Sequence, residues 1–223
     1  MIDRTPEPEV MNDAVEARAY RDADFSAVNR LVALRALRAA GKGAAKAAGT
    51  ALDLGTGPAE IPVIFCRRAP RWRVLAVDAS REMLTLARTN VRRHGLQSRV
   101  KLLRGDAKAL RGVRRRFDLI FSNSLLHHLE NPLPFWKEVA RLGRGGSAVM
   151  VQDLARPRSR ARAKELVRRH ARGASPILQR LFYQSLLAAF TPREVREQLR
   201  KAGIVRLEVE RVSDRHLVVR GRL

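Results

Sequence analysis

The order of apolar and amphipathic segments along the chain predicts an α/β fold built on a mostly parallel sheet. Five short apolar segments have the length of strands: 50–54, 72–78, 99–106, 117–123 and 147–153. Helical patterns separate them, and strands that alternate with helices in this way form βαβ units with parallel pairing. Two further strands, 204–212 and 216–223, are joined by only SDR. A connection this short requires antiparallel pairing, so we predict a parallel sheet that ends in an antiparallel hairpin.

The helices between these strands carry recognisable start signals. Ser80 precedes one amphipathic pattern as an N-cap, and Asn131 precedes another with Pro132 at the first helical position. Thr191 and Glu194 have the spacing of a capping box. The helices are predicted at 27–41, 59–69, 80–95, 131–143, 156–173, 175–190 and 191–203.

Composition limits the class of protein. The chain has 223 residues and a formal net charge of +23 at pH 7. Two interpretations of that charge stay open: compositional drift towards arginine and alanine, or a basic surface for nucleic acid or an anionic membrane. The single cysteine, Cys66, excludes an internal disulfide and a cysteine-rich metal site. Without a long apolar run or a signal-like N-terminus, we expect a cytoplasmic protein.

The stretch LDLGTGPAEIP, residues 52–62, predicts a ligand-binding turn between the first strand and a helix. A dinucleotide-binding turn carries a third glycine where this chain has Glu60, and a carboxylate at a helix start repels a pyrophosphate. Asp53 adds further negative charge. Asp78, after the second strand, has two acceptor oxygens for ribose hydroxyls, and Asp106, after the third, can accept from an adenine amino group. These features describe S-adenosylmethionine (SAM), a cation without phosphate.

Four motifs in order resemble those of the class I SAM-dependent methyltransferases, in the branch of the ubiquinone and menaquinone methylases. They are LDLGTGPAE (52–60), VLAVDAS (74–80), RGDA (104–107) and FDLIFSNSLLHHL (117–129). The first departs from the family by placing Ala59 at the third glycine, which slightly narrows the turn. The fourth lacks the Pro pair and the aromatic residue of many nucleic-acid and protein methylases. The resemblance covers 50–154 and implies a Rossmann-like sheet, SAM as cofactor and methyl transfer as the activity.

The resemblance also implies which residues hold SAM. They are Asp53, Gly55, Thr56, Gly57, Asp78, Ala79, Met83, Asp106, Ala107, Asn123 and Tyr20, the last as a tyrosine that closes over the ligand. Alternatives stay open for some of them: the glycines can serve a tight turn alone, and Asp106 can cap the next helix. Asp118 is expected to have a structural part, in a turn or against an arginine.

The candidate catalytic residues are His127, His128 and Asp153. A neutral histidine near the methyl end of the cofactor can act as a base, with His128 favoured, while either histidine can instead pack under the sheet edge. Asp153 either orients the substrate or caps the next turn. The spacing of His, Asp and Glu suggests no metal-ligand set, so no metal is expected.

We expect one methyltransferase domain over 1–223 with four parts. They are an N-terminal helical arm (1–45), a cofactor-binding core (50–154), a helical lid inserted after the fifth strand (156–190), and a C-terminal helix and hairpin (191–223). The second lid helix is nearly all apolar, which indicates burial or a hydrophobic ligand. The favoured function is methylation of a small, partly apolar metabolite, and both a hydrophobic and an anionic substrate stay open. The alternatives are an RNA or protein methyltransferase that uses the basic surface, and a non-catalytic SAM-binding or scaffold protein.

Overall fold

One seven-stranded sheet forms the centre of the protein in the computed structural model, which describes residues 2–8 and 23–223. The strands are β1 (Gly49–Leu54), β2 (Trp72–Asp78), β3 (Val100–Arg104), β4 (Phe117–Asn123), β5 (Gly143–Leu154), β6 (Leu207–Arg211) and β7 (His216–Arg222). Their spatial order is β3-β2-β1-β4-β5-β7-β6, with β1 to β5 parallel. β7 runs antiparallel to both β5 and β6. The predicted parallel sheet with a terminal antiparallel hairpin is therefore confirmed.

Seven α-helices and one short 3₁₀ helix surround this sheet within the described ranges. The α-helices are α1 (Ser26–Ala40), α2 (Glu60–Arg68), α3 (Arg81–Arg93), α4 (Leu133–Leu142), α5 (Arg160–His170), α6 (Pro176–Ala188) and α7 (Pro192–Lys201). The 3₁₀ helix, Leu126–His128, follows β4 and was not predicted.

Capping contacts explain where several helices begin. The Ser80 hydroxyl accepts from the Met83 amide at 3.2 Å, and Thr191 and Glu194 form the predicted capping box. The Asn131 side chain accepts from the Leu133 amide at 3.1 Å, but α4 begins at Leu133, one residue later than predicted.

The basic helix is shorter than predicted, because it begins at Arg160 rather than at 156. Pro157 disfavours helical geometry at the residue before it, and the Ser159 hydroxyl caps the helix by accepting from the Arg162 amide at 3.1 Å. Arg156 is buried instead, where its guanidinium pairs with Glu194 at 2.5 Å.

Two hydrophobic clusters cover the two faces of the sheet. One contains α4 and α7 side chains such as Phe135, Trp136 and Leu199. The other contains side chains of α1 to α3, among them Val32, Phe65 and Val91. Because both faces are covered by helices, the parallel strands are buried and read as continuous apolar runs.

The predicted apolar helix, α6, is only partly buried. Leu186, Leu187 and Ala188 at its C-terminal end are buried, whereas the side chains of its first turns are half-exposed or exposed. Among residues 2–8 and 23–223, no helix combines the length and the apolar character that a bilayer crossing requires.

Asp118 has the structural part expected of it. Its Oδ2 accepts from the Thr50 amide at 2.8 Å and from the Thr50 hydroxyl at 2.9 Å, and its Oδ1 lies 3.0 Å from Arg144 Nη2. These contacts tie the start of β1 to β4 and to the start of β5.

Candidate active site

The carboxyl ends of β1 and β2 meet at the glycine turn, residues 53–57. The amides of Gly55 and Thr56 both donate to the Val77 carbonyl at 2.9 Å, which pins the turn against β2. Gly55 and Gly57 have φ values of 73° and 54°, in the left-handed region that glycine adopts freely. Among the described residues, a Cβ at position 57 would meet nothing within 4 Å, so this part of the protein leaves the backbone of the turn uncovered.

Ala59, at the third glycine position of the motif, also has a positive φ of 58°. An L-residue pays roughly 1 kcal/mol for that conformation. The departure from the motif therefore also introduces conformational strain at the start of α2.

Asp78 connects the glycine turn to the next loop. Its Oδ2 accepts from the Gly57 amide at 2.7 Å, and its Oδ1 accepts from the Ser80 amide at 2.9 Å. Burial raises the pKa of this carboxyl above its usual range, against the lowering effect of those amides. The sequence predicted its position at the strand end, and the structure adds that the turn and α3 both organise it.

Asp53 is buried, at 1% exposure, and its Oδ2 has no hydrogen-bond partner within the described part of the chain. The Thr56 hydroxyl, also buried, has none either. Burial, together with the neighbouring charge of Asp78, raises the pKa of Asp53 to about 7. A buried carboxylate oxygen without a donor is costly, and a positively charged ligand beside it would remove that cost.

The other predicted cofactor residues lie around the same strand ends. Met83 and Ala107 are buried, and Ala79 is exposed. Asp106 accepts from the Lys108 amide at 2.8 Å, which is a local turn contact of the capping kind. Asn123 Oδ1 accepts from Gln152 Nε2 at 3.2 Å. Tyr20 lies outside the described residues.

The predicted catalytic residues meet at the carboxyl ends of β4 and β5. The Asp153 carboxylate accepts from the amides of Leu126 and Leu154, at 2.6 Å each, and contacts His127 Nδ1 at 2.5 Å. These contacts hold the 3₁₀ helix against the end of β5. The sequence suggested that Asp153 either orients the substrate or caps the next turn. Its contacts to Leu126 and His127 instead brace the 3₁₀ helix, which precedes it in the chain.

A residue that the sequence did not point to completes this group. Glu7 Oε1 lies 3.3 Å from His127 Nε2 and 3.1 Å from His128 Nδ1. The Ser185 hydroxyl of α6 also donates to Glu7, at 3.1 Å. We call Glu7, His127, His128 and Asp153 the histidine cluster.

Arg4 anchors the segment that carries Glu7. Its guanidinium donates to the carbonyls of His127 and Leu129 at 2.8 Å and of Ala188 at 2.6 Å, and it stacks over the Phe190 ring at 4.0 Å. Residues 2–8 are therefore tied both to the 3₁₀ helix and to the end of α6. No periodicity or spacing rule connects such distant parts of a sequence, which explains why Glu7 was missed.

The pKa values of the two histidines shift in opposite directions, although their ring centroids lie only 4.2 Å apart. Burial alone would lower the pKa of His127, but the carboxylates of Asp153 and Glu7 outweigh it and raise that pKa to about 10. Burial and the charge of His127 lower the pKa of His128 to about 4. His128 is therefore neutral at pH 7, and its side chain is 22% exposed.

The two halves of the site touch at one point. A Cβ at position 55 would lie 3.0 Å from the Leu125 side chain, which directly precedes the 3₁₀ helix. The glycine turn and the histidine cluster therefore adjoin each other at the carboxyl ends of the strands, which is where ligands bind in open α/β sheets.

Comparison with known proteins identifies the same region. Residues 51–146 match a family model described as "Methyltransferase domain". The chain is 29% identical over 109 residues to the demethylmenaquinone methyltransferase of Porphyromonas gingivalis, which covers 48% of this chain and 44% of that protein. It is 46% identical over 75 residues to the release factor glutamine methyltransferase of Moorella thermoacetica, covering 33% and 26%. The matched segments thus span less than half of either relative.

Among solved structures, the chain is similar to the plantazolicin methyltransferase BpumL in complex with SAH. The TM-score is 0.72 at 13% identity, and the alignment covers 95% of this chain and 92% of that one. At such low identity the similarity concerns the fold, and it extends over nearly the whole of both chains.

Proposed function

We propose that the protein methylates a small, partly apolar metabolite with SAM. Residues 51–146 match the methyltransferase domain model, and the chain has the fold of known methyltransferases. The observation that carries the proposal is the glycine turn. It combines a buried, unpaired Asp53 oxygen with bare backbone at Gly57. Both features fit a small cation that approaches the backbone closely.

The residues present fit SAM better than a nucleotide with phosphates. Three carboxylates, those of Asp53, Asp78 and Asp106, lie at or just beyond the carboxyl ends of the first three strands, and Glu60 opens α2. A negatively charged ligand would meet repulsion from all of them, whereas the positive sulfur of SAM would be attracted. When bound, SAM supplies a methyl group on a positively charged sulfur.

In this proposal different residues contact different parts of SAM. Asp78 would bind the ribose hydroxyls, and Asp106 the adenine amino group. Ala79, Met83 and Ala107 would pack around the adenine. Asp53, Thr56, Gly55, Gly57 and Asn123 would surround the remainder of the ligand, and Tyr20 would close over it.

The acceptor would bind beside the histidine cluster. His128, neutral and partly exposed, would take a proton from an acceptor hydroxyl or phenol. Asp153 and His127 would hold the 3₁₀ helix and thereby position His128. Phe182 and Tyr183 of α6 are partly buried and lie within one turn of Ser185, which contacts Glu7, and they would offer apolar surface for the acceptor. The helices α5 and α6 would exclude water from the site.

Small-molecule acceptors are favoured because the segment SNSLLHH has neither a Pro pair nor an aromatic residue to hold a planar base or amide. The alternative, a protein or RNA acceptor, is favoured by the net charge of +23 and by the similarity to a release factor glutamine methyltransferase. A non-catalytic SAM-binding protein is the third option. The two alternatives predict different results. The first predicts methyl transfer to protein or RNA, and the second predicts SAM binding without any methyl transfer.

The decisive experiment is isothermal titration of the purified protein with SAM, S-adenosylhomocysteine and NAD. We expect micromolar binding of the two sulfur ligands and none of NAD. Asp78→Ala removes two acceptor oxygens and should weaken SAM binding at least 30-fold, or about 2 kcal/mol. Glu197→Ala, which removes an exposed carboxylate of α7, is the matched control. A folded protein that binds neither sulfur ligand would contradict the proposal.

The acceptor class is then tested with SAM that carries a labelled methyl group. Candidate acceptors are hydroxylated and carboxylated small metabolites, total RNA and a ribosomal protein fraction. Label in the small-molecule fraction supports the proposal, and label only in RNA or protein would replace it with the alternative.

A further inference from the structure

The histidine cluster brings together three side chains of the types that bind transition metals. One ligand atom each from Glu7, His127 and His128 lies within 4.8 Å of the other two. Glu7 belongs to the N-terminal segment and the histidines to the 3₁₀ helix, so the arrangement exists only in the folded chain. Neither the proposed cofactor site nor the proposed transfer step requires Glu7 to be there.

The distances between these atoms suit a shared metal ion. Zinc binds imidazole nitrogens and carboxylate oxygens at about 2.0–2.2 Å, so neighbouring ligand atoms of a tetrahedral site lie roughly 3.3 Å apart. The observed separations from Glu7 Oε1 are 3.3 Å to His127 Nε2 and 3.1 Å to His128 Nδ1. The two imidazole nitrogens lie within 4.8 Å of each other. His128 Nδ1 also lies 3.3 Å from the Pro8 carbonyl, and a cation bound at this nitrogen would replace that contact.

The outer contacts are also those of metal-binding side chains. Histidine ligands usually donate their second ring N–H to a carboxylate, which orients the ring and makes the free nitrogen a better ligand. His127 has this contact, because its Nδ1 lies 2.5 Å from Asp153 Oδ1. The Ser185 hydroxyl donates to Glu7 Oε1 at 3.1 Å and so orients the carboxylate.

Charge and access are consistent with a cation. The carboxylates of Asp153 and Glu7 contact the His127 ring from its two nitrogens, so negative charge is concentrated where little water reaches. His128 and Glu7 are 22% and 11% exposed, which leaves a route from solvent to their ligand atoms.

We propose that Glu7, His127 and His128 bind a divalent cation of the zinc class, with the fourth position open to water or to an acceptor oxygen. Two imidazoles and one carboxylate are a known zinc donor set. Magnesium and calcium are disfavoured because they prefer oxygen ligands throughout.

Metal binding would change the role of His128. As a ligand through Nδ1 it would no longer serve as the base, and the cation would instead lower the pKa of an acceptor hydroxyl that it contacts. The test of metal binding uses neither SAM nor acceptor, so its outcome is separate from that of the methyl-transfer experiments.

The test uses untagged full-length protein, stripped with a chelator and titrated with zinc chloride in competition with a chromophoric chelator. We expect one equivalent of zinc that stays bound through desalting, measured by mass spectrometry of the metal. Glu7→Gln keeps the shape of the side chain but removes its charge, and it should weaken zinc binding at least tenfold. Cobalt should give the visible spectrum of a tetrahedral site in wild type and lose it in the variant.

His94→Gln is the matched control, because His94 is exposed at the end of α3 and any binding through it is adventitious. It should bind zinc as wild type does. If Glu7→Gln does not fold, His128→Gln tests the same site from the other side. The proposal would be overturned if the wild-type protein retained no zinc, or if the variants bound zinc with the same affinity as wild type. The positive charge between the carboxylates of Asp153 and Glu7 would then be that of a protonated His127.

Discussion

The two halves of the crevice are built in different ways. The glycine turn lies within residues 53–57, and its main partner, Asp78, stands at the end of the adjacent strand. The histidine cluster instead joins residue 7 to residues 127, 128 and 153, with α6 contributing Ser185. One half depends on local backbone geometry, and the other depends on long-range contacts that form only when the whole chain is folded.

This difference predicts different sensitivities. Changes in the histidine cluster should alter stability, because they break buried charged contacts between distant elements. Changes in the glycine turn should alter ligand binding more than stability, because Asp53 Oδ2 and Thr56 Oγ1 have no hydrogen-bond partner among the described residues. This distinction would be wrong if substitutions in either half altered stability and ligand binding to the same extent.

The largest expected effect is that of Asp153→Asn on stability. The substitution removes a buried carboxylate that contacts His127 and two amides, and breaking such a group costs about 3–5 kcal/mol. Urea unfolding at pH 7 in chelator-treated buffer measures the loss. Binding of SAM to the folded variant should change less than twofold, because Asp153 belongs to the other half of the crevice.

Asp214→Asn is the control for that experiment. Asp214 also contacts a histidine, His170 at 2.8 Å, but on the exposed surface. An exposed ion pair contributes no more than about 1 kcal/mol. Equal destabilisation by the two substitutions would show that burial is not what makes the histidine cluster sensitive.

A smaller effect is expected from the titration of Asp53. Its pKa is raised to about 7 by burial, so about a tenth of it is ionised at pH 6 and about nine tenths at pH 8. A cationic ligand favours the ionised form. SAM should therefore bind up to about tenfold more tightly at pH 8 than at pH 6, which isothermal titration across that range can measure.

Asp53→Asn separates this titration from that of the ligand itself. The variant should bind SAM more weakly at pH 8, and any pH dependence that remains belongs to SAM. An unchanged pH profile in the variant would mean that Asp53 does not face the positive end of the ligand.

The sequence predicted the first half of the crevice well, and the reason is physical. Strand, turn and helix signals at 50–60 lie within a few residues of each other, and the parallel sheet places Asp78 beside the turn without further information. The conformation of Ala59 was the exception, since a left-handed residue at the start of α2 is visible only in the backbone.

The second half was predicted only in part. The sequence named His127, His128 and Asp153, because all three follow strands of the sheet. It did not connect them with Glu7, since the contact depends on Arg4 holding residues 2–8 against the 3₁₀ helix and α6. The expectation of no metal-ligand set rested on spacing along the chain, and spacing does not report a ligand supplied by the opposite end of the sequence.

The smallest expected effect gives the sharpest separation of binding from stability. Gly57 and Gly95 have φ values of 54° and 64°, and within residues 2–8 and 23–223 a Cβ at either position meets nothing within 4 Å. Gly57→Ala and Gly95→Ala should therefore lower the free energy of unfolding by the same amount, about 1 kcal/mol. Only Gly57 lies beside Asp78 in the crevice, so Gly57→Ala should also weaken SAM binding, by about tenfold, while Gly95→Ala should leave it unchanged.

Thermal unfolding and isothermal titration of both variants measure the two quantities on the same samples. Because the backbone cost is matched, a difference in SAM affinity can come only from the methyl group that Gly57→Ala places in the open space beside the turn. Equal SAM affinities would mean that the ligand does not approach the backbone at Gly57. The unpaired oxygen of Asp53 would then need a different partner, and the proposal that the glycine turn binds the cofactor would be contradicted.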